Sequence, residues 1–135
     1  MAIAAHRTHP AAFLRRVVQA DLAVSAAAGA LQLAAAEPLA RLTAIDAGFL
    51  RGSGLVLMVW VAFLGWTLSR RTIAAPLAWT LIAVNLAWVA ASVLVWLEGA
   101  IAPNTLGTVY VLAQAAVVAV FADLQYFGLR RQQRG

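Results

Sequence analysis

Apolar stretches alternate with short polar connections along the whole chain. The longest stretch without a charge runs from Thr72 to Leu97, closed by Arg71 on one side and Glu98 on the other. At about 1.5 Å per residue, a helix of that length exceeds a hydrocarbon core of roughly 30 Å, so the pattern predicts a membrane span. The same reading places spans at approximately 15–36, 50–69, 76–97 and 104–128. Pro76 suits the first turn of the third span, Asn104 or Thr105 the cap of the fourth, and Gly128 its end. Between the first two spans, Leu39, Leu42, Ile45 and Phe49 recur at helical spacing after Pro38, with Glu37 and Arg41 a turn apart. This predicts a short amphipathic helix in the membrane interface. The expected fold is all-α: one integral membrane domain over residues 1–135, a four-helix bundle with an interfacial helix between spans one and two.

Polar and small positions inside the spans are not scattered. Asp21, Ser25, Ala28, Gly29 and Gln32 lie along one stripe of the first span, because about eleven residues return a helix to nearly the same angle. Gly54, Met58, Val61, Ala62 and Gly65 make a small-residue face on the second, where another backbone can approach closely. On the fourth, Gly107, Tyr110, Gln114, Phe121 and Gln125 share a side, while Asp123 lies almost opposite Gln114. Ser25, Gly29, Gly54, Gly65, Asn85 and Gln114 are therefore expected in helix interfaces.

Composition agrees with a lipid solvent: 64% of residues are hydrophobic, 11% are charged, and mean hydropathy is +0.85. A net charge of +5 would suggest nucleic acid in a water-soluble protein. Here the arginines sit at the ends of spans, where they carry topology instead, and no nucleic-acid partner is expected. Arg7, Arg15, Arg16, Arg70, Arg71, Arg130, Arg131 and Arg134 fall on one side, against Arg41 and Arg51 on the other, which predicts cytoplasmic N- and C-termini. Trp66, Trp79 and Tyr126 near the inner boundary, with Trp96 and Tyr110 near the outer one, suit aromatic belts. Arg15-Arg16 before an apolar run that ends at Ala34-Ala35-Ala36 also has the form of a secretory signal, but with three more spans following it is read as a retained helix.

The chain contains no cysteine, so disulfides, thiolate metal sites and iron–sulfur clusters are excluded. His6-x-x-His9 lacks a third metal ligand nearby, and no metal or cofactor is expected. Nucleotide-binding, zinc-protease and serine-hydrolase motifs are absent, and nothing pairs a nucleophile with a base, so none of those readings has support and an enzyme acting on a membrane-dissolved substrate comes third. Two polar groupings remain as candidates. Trp60, Asn85, Trp88 and Gln114 near mid-membrane form either interhelical hydrogen bonds or the wall of a small cavity for a lipid, quinone or other apolar ligand. Asp21 and Asp123 form either a proton or ion relay or a structural set paired with Arg15, Arg16, Arg70 or Arg130. The expected function is non-enzymatic: an accessory, scaffolding or lipid-associated bundle, with a small transporter or channel using the polar and acidic residues as the alternative. Expected partners are membrane lipids and either further copies of the chain or a larger membrane complex.

At Ala20-Asp21-Leu22, Val84-Asn85-Leu86-Ala87-Trp88, Thr105-Leu106-Gly107, Ala122-Asp123-Leu124-Gln125-Tyr126 and Gly128-Leu129-Arg130-Arg131, the chain resembles a group of small bacterial inner-membrane proteins with four spans. A looser likeness to DoxX-like proteins rests on size and span count. The resemblance implies the bacterial inner membrane and four helices, and it carries no activity. The chain lacks the intramembrane glutamate of the first helix of small multidrug exporters.

Overall fold

The computed structural model describes residues 10–134, so His6, Arg7 and His9 lie outside the described residues. It is helical throughout, with connecting turns and no strand among those residues: α1 (Pro10–Ala34), α2 (Ala36–Thr43), α3 (Ala47–Ser69), α4 (Ala75–Leu97) and α5 (Thr105–Arg134). Four of these, all but α2, are long and apolar enough to cross a membrane. The chain is a membrane-type four-helix bundle with one short helix added.

The packing order is α3, α1, α5, α4. Helix α1 packs against α3 on one flank and α5 on the other, and α4 packs against α5, whereas α3 and α4 have no comparable contact. The bundle therefore has a seam between α3 and α4. Small residues set the tightest approaches. A Cβ on Gly54 would lie 3.1 Å from the Gly29 carbonyl oxygen where α1 crosses α3, so neither helix could keep its place if a larger residue stood there.

Two apolar clusters close the ends. Leu14, Val18, Leu64, Ile73, Leu81 and Leu129 are buried together at the arginine-rich end, and Ala36, Ile45, Leu50, Ile101 and Val111 at the opposite end. Arg15 ties the first of these down, donating to the carbonyl oxygens of Leu68 (2.8 Å), Arg70 (2.6 Å) and Arg71 (3.2 Å). A cation there satisfies carbonyls that the end of α3 leaves without intrahelical partners. At the other end Asn104 holds α2 to α5: its backbone N–H donates to the Thr43 carbonyl, its amide to the Leu42 carbonyl, and its Oδ1 caps the Gly107 N–H at 2.8 Å.

Several boundaries differ from the sequence reading. Helix α1 begins before residue 15 and α3 before residue 50, because Asp46 accepts from the Phe49 N–H and caps α3 early. The amphipathic segment stops at Thr43, where Ala44 takes a left-handed conformation (φ 59°), so Phe49 belongs to α3. Glu37 pairs with Arg51 at 2.7 Å and not with Arg41; both partners are exposed, and such a pair contributes little. Gly128 does not end the fourth span. Helix α5 continues to Arg134, and Gly128 is buried inside it at a point where a Cβ would stand 3.0 Å from the Leu14 Cα. The glycine serves a helix crossing, which a reading of one helix alone takes for a cap. Ala62, expected on the small-residue face of α3, is exposed; Leu57, Leu64 and Thr67 occupy the buried side.

Candidate functional site

Asp21 stands near the middle of α1 with 1% of its surface exposed, and donors from all four long helices surround it. Its Oδ1 accepts from the Ser25 hydroxyl at 3.0 Å and, at longer reach, from the Trp60 indole at 3.4 Å. Its Oδ2 accepts from the Asn85 and Gln125 amides, each at 2.9 Å, and Asn85 also donates to Gln125 Oε1 at 3.0 Å. A carboxylate offers about four lone-pair positions, and here four donors address them. Neither oxygen is left for cargo.

This arrangement corrects the expected groupings. The sequence pairs Asp21 either with Asp123 or with an arginine, and puts Asn85 and Trp60 in a separate layer; instead Asp21, Trp60 and Asn85 belong to one network. Counting residues fixes depth only to about a turn, 5.4 Å, and side chains as long as Gln and Trp bridge that difference. Asp123 is exposed on the outside of α5 and has no hydrogen-bond or ion-pair partner among the described residues. It precedes Gln125 by two positions, about 200° around a helix, so turning Gln125 inward turns Asp123 outward. Among the described residues no arginine reaches either acid.

A second network lies nearer the end that carries α2. The Trp88 indole donates to Gln114 Oε1 at 2.7 Å, and Gln114 Nε2 donates to the Ser92 hydroxyl at 3.1 Å and the Val111 carbonyl at 2.9 Å. Gln32, 5% exposed, donates from Nε2 to the Tyr110 hydroxyl at 2.7 Å. Its Oε1 is buried and has no partner among the described residues. Tyr110 therefore turns its hydroxyl into the bundle at that end.

Both networks border the α3–α4 seam, which widens into two chambers. The outer one, about 450 Å³, is lined by Gln32, Tyr110, Gln114, Phe49, Ala91 and Val95 among others. The inner one, about 400 Å³, is lined by Ser25, Trp60, Phe63, Val84 and Asn85 among others. Val56 and Trp88 line both, so the two chambers adjoin along one lateral cleft, and among the described residues no charged side chain lines either. Its outer half alone falls within the roughly 300–1,000 Å³ of small-molecule sites. Of the residues singled out in the sequence, Trp60, Asn85, Trp88 and Gln114 all lie on this cleft, whereas Asp21 lies behind it and Asp123 outside the bundle. The sequence does not single out Gln32, Ser92, Tyr110 or Gln125 as site residues, although it puts Gln32 on the protein-facing stripe of the first span and Tyr110 and Gln125 on the same side of the fourth as Gln114. Among the described residues no group of acids and histidines is arranged to hold a metal.

Comparison with protein-family models, with curated proteins and with solved structures found no match to this chain.

Proposed function

We propose that this protein is a non-enzymatic, lipid-associated bundle of the bacterial inner membrane, which holds one apolar molecule drawn sideways from the bilayer into the α3–α4 seam. The observation that carries this reading is the cleft itself: two uncharged chambers that adjoin at Val56 and Trp88, between two helices that meet far less closely than the other neighbours in the bundle. In lipid, an apolar gap between helices has no water to fill it well, and a lipid-derived molecule supplies the missing dispersion contacts. The Asp21 network speaks against the transport alternative, because every acceptor position of the buried acid is already used within the protein.

A photoreactive benzoylphenylalanine in place of Val56, irradiated in native membranes, tests this. The expected product is the chain plus the mass of a single lipid-like molecule. A crosslink to a second polypeptide would instead put the scaffolding role first.

The arginine distribution supports cytoplasmic termini. Arg15, Arg16, Arg70, Arg71, Arg130, Arg131 and Arg134 flank one end of the long helices, where Arg70 lies over the Trp66 ring and Arg130 over Tyr126, while Arg41 and Arg51 are at the other. A fluorescent protein fused after Arg134 should fold and fluoresce. Activity from a phosphatase fused at the same place, which matures only in the periplasm, would contradict this orientation.

A further inference from the structure

We infer that the outer chamber selects an uncharged amphiphile bearing a hydroxyl, and that Gln32 and Tyr110 receive that hydroxyl. The inference rests on the proposed role of the seam and adds the chemistry of what enters it.

Gln32 is only 5% exposed, it lines the chamber, and its Oε1 has no hydrogen-bond partner among the described residues. An orphaned buried carbonyl is costly, and a protein that keeps one beside a cavity has an acceptor to offer. Tyr110 lines the same chamber, and its hydroxyl accepts from Gln32 Nε2 while donating to no described residue. The pair thus presents one acceptor and one donor. A half-turn of the Gln32 amide exchanges its oxygen and nitrogen with little change of shape, so that Tyr110 would donate to Oε1 and the free end would become a donor. A hydroxyl, being both donor and acceptor, satisfies either setting. A bare carbonyl or an ether can only accept, so in either setting it meets one of the two groups and forms one hydrogen bond where a hydroxyl forms two.

Charge and placement narrow the class further. No arginine lines the chamber and the chain contains no lysine, so a carboxylate or phosphate head would be buried without a counter-ion. Gln32 is in the last turn of α1, and Tyr110 is in the second turn of α5, so the polar pair lies toward one end of the bundle. The apolar cleft runs from there past Val56 and Trp88 toward the centre. That is the posture of an amphiphile in one leaflet, head near the interface and body in the hydrocarbon. A single water on Gln32 and Tyr110 would have two polar partners at the edge of an apolar cavity, fewer than the usual three. An alcohol on an apolar body meets the same two groups and also fills the space beyond them.

The test uses a long-chain fatty alcohol carrying a diazirine and its methyl ether, each in phosphatidylcholine vesicles holding the full-length chain. Labelled residues are read by mass spectrometry. In the wild type the alcohol should label Phe49, Ala91 and Val95 about fivefold more than the ether, the value of one hydrogen bond of ordinary strength. In Gln32→Leu the two probes should label equally, and the variant should be at least as heat-stable, since it removes the orphaned acceptor. Tyr110→Phe, which keeps the ring, should lower the alcohol-to-ether ratio as well and provides a second reading should Gln32→Leu not fold. Unlabelled diacylglycerol and an unlabelled reduced short-chain quinol, in excess, distinguish an aliphatic from a phenolic source. Displacement by either supports the inference, and displacement by neither overturns it. Equal labelling of the seam by alcohol and ether in the wild type would also overturn it while leaving the seam's role standing. Labelling that avoids the seam altogether would remove both.

Discussion

Asp21→Ala is expected to be the most damaging single polar substitution in the bundle. It strips the shared acceptor from Ser25, Trp60, Asn85 and Gln125 at once, and these groups come from all four long helices. Polar contacts in membranes average about 0.6 kcal/mol, because the unfolded helices find other partners in lipid. Buried donors left without any acceptor cost about 1–3 kcal/mol each in water-soluble proteins. Between these limits, a loss of about 2–4 kcal/mol is expected for the alanine variant, read by unfolding in mixed micelles. Asp21→Asn should cost roughly half as much. Its remaining oxygen can face Asn85 and Gln125, while the new amide donor turns toward Ser25, whose hydroxyl can rotate to accept. The order alanine, then asparagine, then wild type is what a hub of amide donors demands. Equal and small effects of both substitutions would mean that the hub does not hold the helices together. Folded, stable variants that had lost a pH-dependent flux in liposomes would restore the transport reading.

The second large effect is expected at Gly128. The Cβ of any other residue there would sit 3.0 Å from the Leu14 Cα and 3.1 Å from its Cβ, and the first of these is backbone that cannot rotate aside. Leu14 and Leu129, both 0% exposed, anchor the buried cluster at this end. Gly128→Val should therefore push α1 and α5 apart, at a cost of about 1–3 kcal/mol. Gly52 is the control. Nothing lies within 4 Å of a Cβ there, so Gly52→Ala should be neutral or stabilising by up to about 1 kcal/mol, since alanine is the better helix former. Equal behaviour of the two glycines would contradict the close crossing of α1 and α5.

Most of the fold was legible in the sequence because lipid imposes a simple rule. A spanning segment must be long, apolar and helical, and segments such as Thr72 to Leu97 announce themselves. The inward stripe of α1 was legible for a similar reason, since small and polar residues gain nothing by facing lipid: Asp21, Ser25, Gly29 and Gln32 are all buried. What the sequence could not supply was the order of the helices around the bundle. That order makes α1 the central helix, leaves α3 and α4 apart, and brings Trp60, Asn85, Trp88 and Gln114 to the walls of one cleft. The partner of Asp21 was illegible for the same reason. Arginines at the span ends were the nearest charges along the chain, but amides on α4 and α5 are the nearest donors in space. Gly128 was misread because a glycine near the end of an apolar run has two uses, terminating a helix or admitting a neighbour, and only the neighbour decides between them.

The seam between α3 and α4 is the centre of this account, and native mass spectrometry of the protein extracted in mild detergent tests it most directly. The wild-type chain should carry one uncharged amphiphile per copy. Ala91→Trp, which places an indole in the outer chamber, should be folded by circular dichroism and should emerge without that amphiphile. A wild-type chain that emerges empty, or an Ala91→Trp chain that retains the same bound molecule, would contradict the account.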